Sequence, residues 1–435
     1  MRSPAALLPI LAVLSFLTIC DRPLSADDWP QWRGPTRDGQ WKETGIIKNF
    51  PAAQIPIRWR APIGSGYCGP TIADGRVYVT DRQTEPQEVE RVHCFDWQTG
   101  RPLWTYAYDC PYKQIQYTAG PRASVSIDDH RAYALGSMGH LVCLDAVTGE
   151  LLWKKEPGVD YQIRMPVWGI AAAPLIDGDL LIVEIGAADG ACIVALDKKT
   201  GAEKWRSLDD HAGYSAPIII EQAGQRVLIC WTAENVRALD PASGKPYWKS
   251  PFPQKTVINV ATPIVQADRL FVSSFYGGSL MLKLREDELA VDEVWRRQGK
   301  NERVTDALHA MISTPCFQGD YVYGVDSYGE LRCLDAANGN RIWGDLTAVP
   351  KARWATIHIV RNDGRIWMFN ERGELLICTL SPEGFHEISR ARLIEPTTDQ
   401  LQMRGGVCWS HPGFAYKHIF ARNDRELVCA SLAAE

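Results

Sequence analysis

The sequence lacks several patterns that would each assign a chemistry. It has no block of Lys and Arg residues, and its formal net charge is only -5, so no nucleic-acid partner is expected. It has no Gly-rich phosphate loop and no Gly-x-Ser-x-Gly nucleophile elbow. Its nine His residues are scattered and lack the local spacing of a zinc site, so no metal site is predicted.

Apolar runs long enough to cross a membrane are also lacking. The run over residues 5–19 follows a positively charged start, is too short for a span and has the form of an export signal. We therefore predict a signal peptide over residues 1–26 and an exported protein of the periplasm or cell envelope. Cys20 leaves a lipid anchor open, although Ile19 before it departs from the small residue usual at such sites. No transmembrane helix is expected.

One short pattern occurs five times, as CFDWQTGRPLW, CLDAVTGELLW, ALDKKTGAEKW, ALDPASGKPYW and CLDAANGNRIW. In each copy a Gly follows the Asp by four residues and a Trp follows it by eight. The Asp and Trp pairs are Asp96 and Trp104, Asp145 and Trp153, Asp197 and Trp205, Asp240 and Trp248, and Asp335 and Trp343. The pattern predicts a β-hairpin, because the carboxylate can accept backbone N–H groups and the Gly can adopt the left-handed conformation. The Trp begins the return strand and can pack against the next sheet.

The spacing of these Trp residues indicates one four-stranded unit per repeat. Trp295 ends a degenerate copy, Trp59 has no hairpin before it, and an eighth return strand falls near Ile388 without its Trp. Successive positions lie about 47 residues apart, a step that suits one propeller blade.

A second landmark, a small or polar segment followed by two apolar strands, occurs eight times, from GPTIADGRVYV to SHPGFAYKHIFA. The last copy needs a fourth strand, which the orphan strand at Trp59 can supply. We therefore predict an all-β, eight-bladed β-propeller of four-stranded antiparallel blades over residues 59–435, closed by pairing of its N- and C-terminal strands. Residues 27–58 form an extension that packs on the propeller.

Cysteine is common, with 12 residues, but its placement argues against a disulfide framework. Cys94, Cys143 and Cys333 lie two residues before a motif Asp, and Cys378 and Cys429 fall at matching places. Packed sheets lie about 10 Å apart, whereas a disulfide needs Cα atoms within about 7 Å, so these five are expected to be small buried hydrophobic residues. One or two bridges remain open among Cys68, Cys110, Cys192, Cys230, Cys316 and Cys408.

The hairpin pattern resembles the pyrroloquinoline-quinone repeat, and the opening WPQWRGPTRDG is similar to the start of a bacterial exported subfamily of such propellers. The resemblance implies one of two functions. Quinoprotein dehydrogenases hold the quinone and Ca²⁺ at the centre of the ring. The propeller lipoprotein of the outer-membrane protein-assembly machinery is not an enzyme and binds partner proteins through loops.

In a propeller, the segments that enter the innermost strands converge on the central channel. Here they are rich in Arg, His and aromatic residues, which predicts a funnel for a small anionic or sugar-like ligand. The predicted funnel residues are Tyr67, Arg122, Arg164, Trp168, His211, Tyr214, His309, Arg353, Trp354, His358, Arg404, Trp409 and His411.

These segments contain almost no carboxylate, and only Asp306 is a weak candidate for a catalytic base. The Cys-Cys pair found beside the quinone in many of its enzymes is missing, and so is a Cys-x-x-Cys-His haem site. We therefore expect a non-enzymatic binding or scaffold propeller with no cofactor, whose partner is a protein of the cell envelope or a small molecule. The alternatives are a dehydrogenase that uses pyrroloquinoline quinone and Ca²⁺ to oxidise alcohols or sugars, and a carbohydrate-binding module.

Overall fold

The repeat forms the predicted hairpin in the computed structural model, which describes residues 28–156 and 159–434. In the first copy, one carboxylate oxygen of Asp96 accepts the backbone N–H groups of Gln98 and Thr99 at 3.2 and 2.9 Å. Gly100 closes the turn in the left-handed conformation, with φ at +70°. The Asp and Gly of the pattern therefore act together to reverse the chain.

The Trp of each hairpin joins one blade to the next. The ring of Trp104 covers Gly149, where an added Cβ would come within 2.6 Å of it. The Trp104 indole N–H also donates to the carbonyl of Ala146 at 3.1 Å. Glycine is therefore required at this position for two reasons. The turn has a positive φ, and the neighbouring Trp ring leaves no space for a Cβ.

The strands form eight four-stranded antiparallel sheets, and the first strand, β1 (Ile57–Pro62), begins two residues before Trp59. Blades 1 to 4 contain β2 (Thr71–Ala73), β3 (Arg76–Gln83), β4 (Val89–Asp96), β5 (Pro102–Asp109); β6 (Ser126–Asp128), β7 (Arg131–Leu135), β8 (Leu141–Asp145), β9 (Leu151–Lys155); β10 (Leu175–Asp177), β11 (Leu180–Ala187), β12 (Ala191–Asp197), β13 (Glu203–Ser207); and β14 (Ile218–Gln222), β15 (Gln225–Trp231), β16 (Asn235–Leu239), β17 (Pro246–Pro251). Blades 5 to 7 contain β18 (Ile264–Gln266), β19 (Arg269–Ser274), β20 (Gly278–Leu284), β21 (Val291–Arg297); β22 (Cys316–Gln318), β23 (Tyr321–Val325), β24 (Leu331–Asp335), β25 (Arg341–Asp345); and β26 (Ile357–Asn362), β27 (Arg365–Asn370), β28 (Glu374–Ser381), β29 (Gly384–Arg392). Blade 8 contains β30 (Gly413–Ala415), β31 (His418–Arg422), β32 (Glu426–Ser431) and β1, and a short 3-10 helix (Gln402–Arg404) precedes it.

The ring closes as predicted, by pairing of the first strand with the last. Trp59 in β1 lies opposite Cys429 in β32. The fully buried Arg422 adds a second connection, because it donates to the carbonyls of Thr80 in blade 1 and Gly64 in the β1–β2 link at 2.7 and 2.5 Å. The eight-bladed fold is thus confirmed.

The buried carboxylate of Asp81 also holds the closure. It accepts the N–H of Gly64 at 2.5 Å and lies 2.8 Å from Arg91 and 2.9 Å from His93. Burial alone would raise the pKa of Asp81, but hydrogen bonds from His93 and Arg91 hold it well below its usual range. Asp81 therefore stabilises the fold above its unfolded pKa of about 3.9, and this contribution is lost as the pH falls through the lower folded value.

Replacement Asp81→Asn is expected to lower the free energy of unfolding by about 2 to 4 kcal/mol at pH 7. It should also reduce the loss of stability between about pH 5 and pH 2. Urea unfolding over a pH series measures both effects. The exposed control Asp320→Asn should change stability by less than about 0.5 kcal/mol. An unchanged acid dependence in Asp81→Asn would show that the carboxylate does not hold the closure.

The N-terminal extension crosses one end of the channel. Trp29 exchanges backbone hydrogen bonds with Ile72 of blade 1, at 2.8 and 2.9 Å, and the Trp41 N–H donates to the carbonyl of Arg361 in blade 7. Between these points the buried guanidinium of Arg37 donates to backbone carbonyls of blades 3 and 4, those of Ala173, Pro174 and Pro217. The extension thus contacts opposite sides of the ring and crosses that end of the channel.

The cysteines of the described residues are all buried and free. The five that belong to the repeat are small buried residues, as predicted, and the bridges left open among the other six do not form. The predicted signal peptide, residues 1–26, and Cys20 lie outside the described residues. In the part of the chain that the structure describes, no helix is long and apolar enough to cross a membrane.

Candidate binding cavity at the centre of the ring

A cavity lies on the axis of the ring, lined by residues of the loops that enter the blades. Seven of the predicted funnel residues line it, namely Tyr67, Arg122, Trp168, Tyr214, His358, Trp409 and His411. Nine further residues complete the lining, namely Trp32, Tyr117, Ser124, Ala171, Ala173, Ala216, Val260, Met311 and Ile312. Most of the surface is therefore aromatic or aliphatic.

The floor of the cavity comes from the N-terminal extension. The indole N–H of Trp32 donates to the hydroxyl of Thr262 at 2.8 Å. The edge of the same ring meets the ring of His411, with the two centroids 4.5 Å apart. A residue outside the repeats thus contributes an aromatic ring to the lining.

Both histidines of the lining are neutral at neutral pH. His358 lies 2.8 Å from the carbonyl of Trp409, and His411 lies 2.7 Å from the hydroxyl of Ser124. Burial lowers the pKa of His358 to about 4. Burial and the neighbouring His358 lower the pKa of His411 to about 3. Neither ring therefore brings a positive charge to the cavity.

The mouth of the cavity is covered by Tyr117, from the loop between blades 1 and 2. Its ring lies 5.9 Å from that of Trp168 and 6.3 Å from those of Trp354 and Trp409. These partners come from three other inter-blade loops. The backbone of Tyr117 is left-handed, with φ at +57°, a strained conformation that places the ring over the opening.

Arg122 holds the Tyr117 loop through both of its terminal nitrogens. One terminal nitrogen donates to the carbonyls of Gln116 and Tyr117 at 2.8 and 2.5 Å. The other donates to the carbonyl of Gly120 and the hydroxyl of Ser137, both at 2.9 Å. Both terminal nitrogens of Arg122 therefore already donate to oxygens of the protein.

Three predicted funnel residues lie away from the cavity. Arg164 reaches outward and donates to the carbonyl of Asp209 at 2.8 Å. His211 is exposed and bonds to Glu234 at 2.6 Å. His309 is buried inside the fold, with its Nδ1 2.8 Å from the carbonyl of Phe275. Position in an inner segment does not fix the direction of a side chain, because these segments are irregular loops.

Three others stand at the rim behind the lining. Arg353 stacks on the ring of Trp354 at 4.2 Å and pairs with Glu302 at 2.6 Å. Arg404 pairs with Glu371 at 2.6 Å. The rim arginines are thus neutralised by carboxylates of the protein itself.

The lining residues that the structure describes include no Asp or Glu. Asp306 lies outside the lining and pairs with Arg297 at 3.0 Å, and this hydrogen bond lowers the pKa of its carboxyl. Across residues 28–156 and 159–434, no group of three or more His, Cys, Asp or Glu residues could hold a metal ion.

Comparison with known proteins places this propeller in a family. The family model described as outer membrane protein assembly factor BamB matches residues 88–345. The chain belongs to this family. The resemblance to pyrroloquinoline-quinone-type propellers is thereby confirmed.

The relatives of this BamB-family chain include both functional branches. It is 20% identical to the outer membrane protein assembly factor BamB of Shewanella oneidensis, over 67% of this chain and 71% of the relative. It is 29% identical to the quinoprotein ethanol dehydrogenase of Pseudomonas putida, but over only 35% of this chain and 25% of the relative. The match thus spans about a quarter of the length of the dehydrogenase.

Solved structures show the same fold at low sequence identity. BamB from Moraxella catarrhalis superposes with a TM-score of 0.58 at 19% identity, covering 87% of this BamB-family chain and 99% of that one. The quinohemoprotein alcohol dehydrogenase of Comamonas testosteroni gives 0.62 at 13% identity, covering 94% and 81%. At these identities the similarity concerns the fold alone.

Glu184 is a fully buried acid of this BamB-family chain that stands behind the lining, in β11. One of its oxygens accepts the N–H of Gly213 at 2.6 Å. Its other oxygen and the side-chain oxygen of Asn259, which also lies beside Gly213, have no donor among the described residues. Burial raises the pKa of Glu184 to about 8. The folded state therefore retains a proton that the unfolded chain releases near pH 4.3, and stability falls as the pH rises between these values.

Replacement Glu184→Gln is expected to raise the free energy of unfolding at pH 9 by about 2 to 4 kcal/mol. At pH 4 the variant and the wild type should be nearly equal, because both side chains are then neutral. Urea unfolding at the two pH values measures the difference. The exposed control Glu221→Gln should show no such pH dependence. Equal stability of Glu184→Gln and wild type at pH 9 would contradict the protonated state.

Nine residues of the lining were not among those predicted from the sequence, and Trp32 and Tyr117 are the two aromatic residues among them. Trp32 lies in the extension, and its being aromatic did not indicate that its side chain faces the channel. Tyr117 lies in a loop outside the repeat. The only sequence signal for either was the WPQWRGPTRDG segment that contains Trp32.

Proposed function

We propose that this chain is an exported, non-enzymatic binding propeller of the cell envelope, which uses its central cavity and the surrounding loops. The match to the BamB relative supports this proposal, because it extends over two thirds of the chain. The dehydrogenase relative aligns over about one third.

The observation that carries the proposal is the absence of carboxylates from the described lining. Ca²⁺ takes six to eight oxygen ligands, mostly from carboxylates and carbonyls, and dehydrogenation needs a base near the reacting carbon. Asp306 has a lowered pKa and is held by Arg297, so it does not fit the role of that base. The terminal nitrogens of Arg122 are bound to the protein itself. These residues do not fit a site for pyrroloquinoline quinone and Ca²⁺.

The loops around the mouth offer a surface for a protein partner. Val167, Val304 and Met403 are exposed on three of these loops, with 54, 55 and 68% of each residue accessible. Apolar side chains on loops that a rigid scaffold positions are common in recognition surfaces. A scaffold role in the envelope needs such a surface in addition to the cavity.

Export and location remain part of the proposal. The signal peptide predicted over residues 1–26 supports them, and Cys20 keeps a lipid anchor as the alternative to a soluble periplasmic protein. Fractionation of cells that express the full chain would distinguish the two.

The proposal is tested with purified protein, pyrroloquinoline quinone and Ca²⁺. Titration followed by absorbance, together with dye-linked oxidation of alcohols and sugars, should show no stoichiometric quinone binding and no turnover. A known quinoprotein alcohol dehydrogenase serves as the positive control. Tight one-to-one binding of the quinone with turnover would overturn the proposal.

A further inference from the structure

We propose that the central cavity binds a small, uncharged and largely apolar molecule, held between Trp32 of the N-terminal extension and Tyr117 over the mouth. This inference rests on the proposed function, because it names the ligand class of the same cavity. It replaces the anionic or sugar-like ligand that the sequence alone had indicated.

The walls between the two rings are apolar. Val260, Met311 and Ile312 contribute aliphatic surface, and Ala171 and Ala216 leave space because their side chains are small. The favourable term on binding is therefore the removal of apolar surface from water.

The cavity offers no free charge for an anion. His358 and His411 are neutral because burial depresses the pKa of each ring. Both terminal nitrogens of Arg122 donate to protein oxygens. An anionic ligand would lose its hydration without gaining a strong partner, which is unfavourable.

Three hydroxyl groups of the lining are also engaged, which disfavours a sugar, whereas the indole N–H of Trp168 has no partner among the described residues and offers a single donor. The hydroxyl of Ser124 is bonded to His411, that of Tyr67 to the carbonyl of Gln400, and that of Tyr214 to the N–H of Trp168. A polyhydroxylated ligand would leave several hydroxyl groups buried without partners. An uncharged ligand with few polar atoms avoids this cost.

The two aromatic rings, Trp32 and Tyr117, come from different parts of the chain, the extension and an inter-blade loop. Trp32 is held in place by Thr262 and by contact with His411, so the extension presents a fixed surface. Tyr117 is positioned by the carbonyl contacts of Arg122 and by the three Trp rings around it. Tyr117 stands at the mouth, and the extension crosses the other end of the channel.

The inference is tested with the neutral fluorescent probe N-phenyl-1-naphthylamine and the full chain. The probe should bind saturably at one site with enhanced emission. The anionic probe 1-anilinonaphthalene-8-sulfonate, which has the same ring system, should bind about tenfold more weakly or worse. N-acetylglucosamine should not displace the neutral probe.

Matched variants locate the probe. Trp32→Ala is expected to weaken binding about tenfold or more through loss of the aromatic floor, whereas Trp248→Ala, on the outer strand β17, should leave affinity unchanged. Tyr117→Ala should speed probe dissociation about tenfold, whereas Tyr247→Ala should not. Circular dichroism and urea unfolding check that each variant is folded. Since Tyr117 lies in a surface loop, its variant keeps the test valid if Trp32→Ala does not fold.

Failure of the inference is distinguishable from failure of the proposed function. Lack of saturable binding, tighter binding of the sulfonate, displacement by the sugar, or unchanged binding and dissociation in both cavity variants would overturn the inference. These results would not contradict the non-enzymatic function if pyrroloquinoline quinone also shows no binding and no turnover. Displacement of the neutral probe by the quinone with turnover of alcohol would overturn both.

Discussion

Replacement Arg422→Met is expected to lower the free energy of unfolding by about 3 to 6 kcal/mol. The guanidinium is fully buried and donates to three backbone carbonyls, those of Gly64, Thr80 and Asn423. Two of these carbonyls lie beyond blade 8, in blade 1 and in the link that leads to it. A Met side chain fills similar space but leaves the three acceptors without this donor. The closure of the ring should therefore weaken.

Equilibrium unfolding in urea measures this loss. Arg425→Met is the matched control, since Arg425 is an exposed residue of the same blade; its stability change should stay within about 0.5 kcal/mol. Limited proteolysis of Arg422→Met should cut first near β1 and β32, the two strands that join the ends of the chain. If Arg422→Met lowered the free energy of unfolding no more than its control does, the closure would not depend on this residue.

Replacement Trp41→Ala in the extension is expected to lower the free energy of unfolding by about 3 to 5 kcal/mol. Trp41 is buried, and its ring lies 5.5 Å from that of Trp367 in blade 7 and 5.0 Å from that of Phe414 in blade 8. Its indole N–H donates to Glu43 at 2.8 Å. Truncation leaves a cavity beneath the extension at the point where two blades meet.

The control for Trp41→Ala is Lys42→Ala, at the adjacent exposed residue. This replacement should leave the free energy of unfolding nearly unchanged. Tryptophan fluorescence and circular dichroism should report one coincident transition for the wild type, because the extension shares its core with blades 7 and 8. A separate early transition for the extension, with the propeller unaffected by Trp41→Ala, would contradict its role as part of the fold.

The blade architecture could be predicted because the same local chemistry recurs in every repeat. Asp96 and Gly100 reverse the chain, and Trp104 covers the Gly of the next hairpin. Trp59 does the same for Gly100, which explains why an isolated Trp correctly indicated the closing strand. Each of these contacts depends on neighbours that the periodicity itself supplies.

The cavity was predicted less completely because it is built from segments that do not repeat. Tyr117 points over the mouth through a left-handed backbone, and no periodic pattern indicates such a conformation. Arg164 occupies an inner segment like Arg122, yet it bonds outward to the carbonyl of Asp209. Side-chain direction in these loops follows from individual carbonyl contacts, which emerge only in three dimensions.

The most direct test of the account is a crystal structure of the full chain grown with N-phenyl-1-naphthylamine. The probe is expected on the ring axis, between Trp32 and Tyr117 and against Met311, with no carboxylate in contact with it. Density for the probe only at the periphery, or a rearranged cavity in which Asp306 or another carboxylate faces the axis, would contradict it.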